Sequence, residues 1–313
     1  MLYVEMPFAQ EHRERVLRLA GDTPVWFAEP DTRARDDRAA LERARVAFGN
    51  CAPSWLAEAP DLRWLQLASV GVDAYAEHVP RLGDRGLVVT NLEGLFADPV
   101  AETCVAGLLA LFRGIDRLVL AADRGVWEKP SVRPGLRLLG AARVLVLGTG
   151  SIGRRVVELV RPFGCRVTTF GRSAGDLRTV AELESALPGI DVVIGLLPGT
   201  EQTAGLLDAR RLGLLPPGAV VVNAGRGSLI DEEALVAAVR DGRLGGAVLD
   251  VTREEPLPPG HPLWTAPNVI LTQHTAGGTA DELDRVIDVF VDNWRRFESE
   301  SDLRNIVRWD RGY

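Results

Sequence analysis

Arg226, Glu255 and His274 are the residues of this 313-residue chain whose types and placement point most directly to chemistry. Each follows an apolar run that reads as a buried strand. Arg226 lies after Val220–Asn223, Glu255 after Val248–Asp250, and His274 after Ile270–Thr272. Parallel strands of an open sheet put their carboxyl ends on the ligand side, so the three share one rim. A guanidinium forks onto a carboxylate and polarises a neighbouring carbonyl. An imidazole gives or takes a proton. A carboxylate beside it orients the ring and stabilises its charged form. Together they are what reversible hydride transfer to a 2-oxo acid needs. Taken singly, each has a plain structural reading: a solvated or ion-paired arginine, a surface carboxylate next to Glu254, a structural histidine. Their joint placement separates the two readings.

A hydride needs a carrier, and Gly148-Thr-Gly150-Ser-Ile-Gly153 supplies a place for one. It follows the buried-strand run Val144–Leu147 and opens an amphipathic helix. The first glycine permits a tight turn, the second lets a pyrophosphate approach the backbone, and the third allows close helix–strand packing. Gly148, Gly150, Ser151, Ile152 and Gly153 are therefore the expected phosphate cradle. A structural turn and S-adenosylmethionine binding are the alternatives, and the downstream residues disfavour the latter. A site for NAD expects an acidic residue at the end of the second strand, on the ribose 2′-hydroxyl. Here Val167-Thr-Thr-Phe170 is followed by Gly171-Arg172-Ser173. No carboxylate stands there to repel a 2′-phosphate, and Arg172 with Ser173 can bind one, which points to NADP as the preferred cofactor. The alternative is that Arg172 stacks on adenine or faces solvent and NAD is used.

The elements that must position these groups alternate as strand and helix throughout. In the first part, strands are expected at Val25–Ala28, Val46–Phe48, Trp64–Leu67 and Leu87–Thr90, with helices at Arg35–Arg45 and Pro53–Glu58 between them. Asp98-Pro99, an N-cap residue followed by proline, is expected to open one long helix reaching Arg124. A loop rich in Pro and Gly runs to Gly140. Six further strands are expected at Arg143–Leu147, Arg166–Phe170, Asp191–Leu196, Ala219–Asn223, Gly246–Asp250 and Asn268–Thr272. Helices read Ser151–Phe163, Val180–Leu187, Asp208–Leu212, Asp231–Asp241 and about Asp281–Glu298. The pattern is α/β, with two doubly wound parallel-sheet domains. We assign 99–282 to a Rossmann NAD(P)-binding domain, and 1–98 plus 283–313 to a flavodoxin-like substrate domain, with the active site in a cleft between them.

Composition narrows the remaining classes. With 43 acidic and 36 basic residues the net charge is −7, which offers no electrostatic footprint for nucleic acid. The longest apolar runs fall far short of the ~20 residues that cross a bilayer, so no membrane partner is expected. MLYVEMPFAQ lacks the basic-then-apolar pattern of a secretory signal. Cys51, Cys104 and Cys165 show no CxxC spacing, which argues against a disulfide framework or a zinc site and fits the cytoplasm. Lys129 is the sole lysine, so Schiff-base chemistry and a Walker-type P-loop are excluded.

These motifs, taken together, resemble the D-2-hydroxyacid dehydrogenases, the family that includes glyoxylate/hydroxypyruvate reductases and phosphoglycerate dehydrogenase. The resemblance is strongest from Gly148 to Gly277. It rests on the GxGxIG loop, Leu197-Pro-Gly-Thr200 with Thr203, Asn223-Ala-Gly-Arg-Gly227, Leu249-Asp-Val251 with Glu255-Pro256, His261-Pro-Leu-Trp264, and His274 with Gly277. It implies Arg226 as the substrate-binding arginine and a His274–Glu255 pair as the proton relay. It implies Asp250 as the partner of the nicotinamide carboxamide, a strand-end cap being the alternative. Leu197, Pro198, Thr203, Ala224, Gly225, His274 and Gly277 would line the nucleotide. Ser69, Val70 and Gly71, in Ser69-Val-Gly-Val-Asp73, would hold the substrate carboxylate through backbone amides, unless that run is a plain strand-to-helix turn. A small 2-oxo or 2-hydroxy acid is the implied substrate, and a homodimer the implied assembly, with the Asp98 helix and the segment around Trp127 as contacts.

Two residues depart from the family pattern. Gln273 stands where proline commonly precedes the histidine, and Gly225 where alanine or serine precedes the arginine; we expect the glycine to widen the backbone's options. Two rivals share the fold. One is a nucleotide-sensing, corepressor-like binding protein with little turnover, which the presence of Arg226, Glu255 and His274 disfavours. The other is a formate-type dehydrogenase, which would carry an amide in place of Glu255.

Overall fold

The structure, a computed structural model, describes residues 1–28, 35–75 and 86–309. It divides into two compact units, Met1–Leu95 with Thr279–Tyr313, and Phe96–Gly278. The boundaries expected at 98 and 282 lie a few residues further along the chain. Among the described residues no helix is long and apolar enough to cross a membrane.

The first unit is built on a five-stranded parallel sheet of order β2-β1-β3-β4-β5. Its strands are β1 (Leu2–Glu5), β2 (Val25–Phe27), β3 (Val46–Gly49), β4 (Trp64–Gln66) and β5 (Val88–Thr90). This is the flavodoxin-like order. Strand β1, between β2 and β3, and the charged helix Gln10–Ala20 after it, are absent from the elements expected above. Leu2, Tyr3 and Val4 are fully buried all the same.

The helix Glu282–Glu298 returns to this unit and lays Phe290 across the sheet. Phe290 stacks on Phe48 at 4.2 Å and on Trp64 at 5.3 Å between ring centroids. Removing such a fully buried ring costs ~3–5 kcal/mol. Beneath it, Asn293 Nδ2 donates to Gln66 Oε1 at 3.1 Å, while Trp64 Nε1 donates to Thr90 Oγ1 at 2.8 Å. The tail completes the return, with Val307 N donating to Val89 O at 2.9 Å.

The second unit carries the six expected strands in the order β11-β10-β9-β8-β6-β7. They are β6 (Arg143–Leu147), β7 (Arg166–Phe170), β8 (Val192–Gly195), β9 (Ala219–Asn223), β10 (Leu244–Leu249) and β11 (Val269–Leu271), all paired in parallel. A single bridge from Leu177 to Phe170 extends the sheet past β7. The strand order reverses between β6 and β8, which makes the crevice at their carboxyl ends the switch point where doubly wound sheets bind ligands. Buried Val and Leu side chains line both faces, forming two separate hydrophobic clusters.

One expected helix needs correction. The run from Asp98 to Arg124 forms two helices, Ala97–Arg113 and Ile115–Asp123, split at Gly114. Gly114 takes φ 62°, and a Cβ there would sit 2.6 Å from Val132 Cγ1, so glycine both permits the break and fits the packing. Asp98 is not the N-cap either. It lies inside the first turn, and its Oδ1 accepts from Arg155 Nε at 2.6 Å. Its carboxylate therefore ties this helix to Ser151–Val160 instead of capping it.

Candidate active site

The glycine loop leaves β6 and enters the helix Ser151–Val160. Gly148 adopts φ 120°, and a Cβ on it would lie 2.8 Å from Leu196 O, just past β8. A Cβ on Gly153 would lie 2.0 Å from Gly148 O, so this glycine sets the close approach of helix and strand. A Cβ on Gly150 would meet nothing within 4 Å. Gly150 also caps the helix without any side-chain hydrogen bond. The N–H groups of Ser151, Ile152 and Gly153 have no backbone partner among the described residues and carry the positive end of the helix dipole, the arrangement that receives a phosphate. These residues fit a dinucleotide.

At the end of β7 the chain turns sharply. Gly171 N donates to Leu177 O at 3.1 Å, and Asp176 Oδ2 accepts from Thr169 N and Oγ1 at 2.8 and 2.9 Å. A Cβ on Gly171 would fall 2.5 Å from Ala174 O and 2.7 Å from Thr149 Oγ1. Packing alone therefore keeps any side chain, a carboxylate included, out of that position. Arg172 and Ser173 follow on the exposed turn. After β8, Thr203 closes the 197–203 loop, its hydroxyl donating to Pro198 O at 2.6 Å.

Arg226 is held by its neighbours' backbone. A Cβ on Gly225 would lie 2.7 Å from Leu197 O, and one on Gly227 would lie 2.0 Å from Thr252 C. The arginine is thus clamped between the loops after β8 and β10. This corrects the expectation for Gly225: its φ is not in the left-handed region, and close contact, not backbone freedom, is what needs glycine there. Asn223, at the end of β9, fixes the loop that carries Arg226. Its Nδ2 donates to Arg226 O at 2.9 Å and its Oδ1 accepts from Gly225 N at 3.2 Å. Only its position at a buried strand end could have flagged it.

Glu255 and His274 meet directly. Glu255 Oε2 lies 2.6 Å from His274 Nδ1, and Glu255 Oε1 accepts from Thr252 N at 2.9 Å. An ionised carboxylate only accepts, so the Nδ1 proton is fixed on that side. Nε2 is left to give or take a proton, and the side chain of His274 is half exposed.

His274 sits in a left-handed turn, φ 57°, directly after Gln273 at φ 53°. The buried Asp250 holds it. His274 N donates to Asp250 O at 2.6 Å, and Asp250 Oδ1 accepts from Thr272 Oγ1 (2.6 Å), Thr275 N (3.0 Å) and Ala276 N (3.1 Å). Asp250 is therefore a strand-end cap. Its Oδ2 takes no hydrogen bond among the described residues, which leaves an acceptor for a ligand. Gly277 packs close to Phe96, where a Cβ would lie 3.0 Å from Phe96 Cδ1.

In the first unit, the 69–71 loop follows β4. Ser69 Oγ donates to Gly71 O at 2.9 Å, and Asn91 Nδ2 donates to Val70 O at 3.0 Å. The N–H groups of Val70 and Gly71 have no partner among the described residues and are half-buried, as an anion-holding loop requires.

The description "D-isomer specific 2-hydroxyacid dehydrogenase, NAD binding domain" belongs to the family model that matches residues 105–276. The chain is a D-isomer-specific 2-hydroxyacid dehydrogenase by family. It is 34% identical over 265 residues to a glyoxylate/hydroxypyruvate reductase of Arabidopsis thaliana, covering 82% of this chain and 79% of that one. Among solved structures, a D-isomer specific 2-hydroxyacid dehydrogenase from Xanthobacter autotrophicus Py2, in complex with NADPH and MES, superposes with a TM-score of 0.83 at 29% identity, covering 100% of both chains. An NADPH-dependent glyoxylate/hydroxypyruvate reductase from Sinorhizobium meliloti, in complex with NADP and sulfate, gives a TM-score of 0.83 at 26% identity, covering 100% of this chain and 99% of that one. As a member of this family the chain is an oxidoreductase, an NAD(P)-dependent 2-hydroxyacid dehydrogenase.

Proposed function

We propose that the protein reduces a small 2-oxo acid of the glyoxylate or hydroxypyruvate class, with NADPH preferred over NADH. The observation that carries the reading is the 2.6 Å contact between His274 Nδ1 and Glu255 Oε2 on the rim that also bears Arg226. When bound, the nicotinamide supplies the hydride for C2 of the substrate. Arg226 binds the substrate carboxylate and polarises the carbonyl. His274 Nε2 delivers the proton to the oxygen as it gains charge, while Glu255 steadies the imidazolium before transfer. The amides of Val70 and Gly71, with Ser69, take the carboxylate in the same role. Gly148, Gly150, Ser151, Ile152 and Gly153 hold the pyrophosphate. Leu197, Pro198, Thr203, Ala224, Gly225 and Gly277 flank the nucleotide, and Asp250 Oδ2 accepts from the carboxamide.

The NADP preference is supported by Gly171, whose packing excludes a carboxylate, and by the exposed Arg172-Ser173 pair beside it. Both solved relatives described above contain NADPH or NADP. A homodimer is supported by the apolar surface of residues 115–138, where Val119, Leu120, Trp127 and Leu138 are 60 to 85% exposed. Cytoplasmic residence is supported by three free cysteines, all buried.

The test is NADPH and then NADH oxidation by purified protein against glyoxylate, hydroxypyruvate, pyruvate, phenylpyruvate and 2-ketoisocaproate. Turnover of glyoxylate or hydroxypyruvate, faster with NADPH, is the expected result. Tight cofactor binding with no turnover of any acid would favour the corepressor-like reading.

A further inference from the structure

Of the glutamates among the described residues, only Glu232 is buried. It stands at the first position of the helix Glu232–Arg240. The helix has other groups for its own needs. Asp231 Oδ1 caps it by accepting from Ala234 N at 3.0 Å, and Glu233, exposed in the same turn, serves the helix dipole without leaving water. Burying a carboxylate is costly unless a donor meets it. The donor that meets Glu232 comes from the loop after β10: Arg253 N donates to Glu232 Oε1 at 2.6 Å.

This bond fixes the stretch of backbone that holds Glu255. One residue earlier, Thr252 N donates to Glu255 Oε1 at 2.9 Å, and Thr252 Oγ1 donates to Glu254 O at 2.8 Å. Glu255 Oε2 is the oxygen that meets His274 Nδ1. Gly227, next to Arg226, packs against the same Thr252–Arg253 peptide; a Cβ there would lie 2.1 Å from Thr252 O and 2.4 Å from Arg253 N. The far end of the loop returns to the same carboxylate. His261 Nε2 lies 3.9 Å from Glu232 Oε2. Its Nδ1 accepts from Leu263 N at 3.3 Å, which leaves the ring proton on Nε2, toward Glu232. Trp264 Nε1 closes this end by donating to Pro258 O at 2.9 Å.

We propose that Glu232 is the positioning residue of the His274–Glu255 pair, and that it acts through its reach and not through its charge. Glu232 Oε1 sets the place of Arg253 N. Thr252 N follows, and with it the Glu255 oxygen that it holds. The inference rests on His274 and Glu255 being the acid/base pair, but the contact between them can be observed without turnover.

Two variants of the full-length protein separate reach from charge. Glu232→Asp keeps the charge and shortens the arm by one methylene, so its oxygen falls short of Arg253 N. Glu232→Gln drops the charge and keeps an acceptor oxygen at the same reach. With NADPH and hydroxypyruvate, Glu232→Asp should lower kcat by about tenfold to a hundredfold, the cost of misplacing a catalytic group by ~1 Å, while KM stays within about threefold. Glu232→Gln should keep kcat within about threefold of the unmodified protein. The second readout is the NMR signal of His274 in protein labelled with carbon-13 at histidine Cε1, identified by its loss in His274→Ala. It should move in Glu232→Asp in the direction that Glu255→Gln moves it, and stay in place in Glu232→Gln. An unmoved His274 signal and unchanged kcat in Glu232→Asp would overturn the proposal, even with a lowered melting temperature, since a merely structural role gives that. Harm from Gln with none from Asp would make charge the agent and overturn it too, as would equal harm from both. If the unmodified protein reduced no 2-oxo acid, the reductase reading would fail, and the His274 signal would still decide the role of Glu232.

Discussion

Replacing Asp250 by alanine removes three hydrogen bonds at once, those from Thr272 Oγ1, Thr275 N and Ala276 N. Two of the donors are backbone N–H groups, and Ala276 is only 3% exposed. A buried donor left without a partner costs ~1–3 kcal/mol, so the two together cost about 2–6 kcal/mol. Against that stands the relief of two left-handed residues, Gln273 and His274, at ~1–2 kcal/mol each. We expect Asp250→Ala to lose about 1 kcal/mol of stability net, the difference of the two midpoints, as the turn unwinds toward ordinary backbone. The unwinding carries His274 off its contact with Glu255, and a displacement of ~1 Å at a catalytic group lowers rate about a hundredfold. Asp250→Asn keeps an oxygen that can accept all three bonds and should stay within ~1 kcal/mol of the original. Urea unfolding and kcat/KM for both variants are the assays. If alanine and asparagine were equally harmful, the charge and not the cap would be what matters at Asp250. If alanine changed neither quantity, the argument from the turn would fail.

Three further predictions follow from the geometry. Arg226→Ala should lower kcat/KM by about a hundredfold, roughly 3 kcal/mol of charge-assisted hydrogen bonding, through both KM and kcat; unchanged kinetics would remove Arg226 from the site. Arg172→Ala should weaken NADPH by about tenfold and NADH little, and equal losses would mean that the side chain does not read the 2′-phosphate. Asp191→Asn should lower the melting temperature at pH 7, because the Arg143 side chain, bound at 3.0 and 3.2 Å, holds the Asp191 carboxyl below its ordinary value. A depressed folded-state value means that the stabilisation is present above the unfolded value of ~3.9 and fades as pH falls through the lower folded one. The melting gap between the two proteins should therefore close in acid, and a gap that persisted at pH ~2 would contradict it.

How legible these features were depends on where the information sits. The six strands of the second sheet read clearly because each is a continuous apolar run buried on both faces and bounded by turn residues. The phosphate loop read equally well, since each of its glycines answers a local steric demand. β1 was harder: it is four residues long, ends in Glu5, and is followed by a highly charged helix with only Val16 and Ala20 buried. The run from Asp98 to Arg124 holds two glycines, and only coordinates separate them: Gly107 stays helical, whereas Gly114, packed against Val132 and Leu136 from further along the chain, takes the left-handed cap that ends the helix. Asp98 carried a true N-cap signature, but a tertiary ion pair with Arg155 claims its side chain.

The site divides along the same line. Arg226, Glu255 and His274 were visible because strand ends locate them on one rim. The roles of Asn223 and Gly225 were not: Gly225 answers a contact with the loop after β8, and Asn223 folds its own loop through side-chain bonds to Arg226 O and Gly225 N that residue type alone does not announce. Asp250 illustrates both halves: its position at a strand end was plain, whereas the three bonds that fold the His274 turn around it required coordinates.

The central claim is that His274, oriented by Glu255, moves the proton that accompanies hydride transfer. The measurement that tests it most directly is the NADPH-dependent reduction of glyoxylate or hydroxypyruvate by His274→Ala, run beside NADPH binding to the same variant. General acid catalysis by a positioned side chain contributes ~10²–10⁴-fold, so kcat should fall by at least about two orders of magnitude while the NADPH dissociation constant stays within about threefold. A variant that kept its turnover would contradict the account.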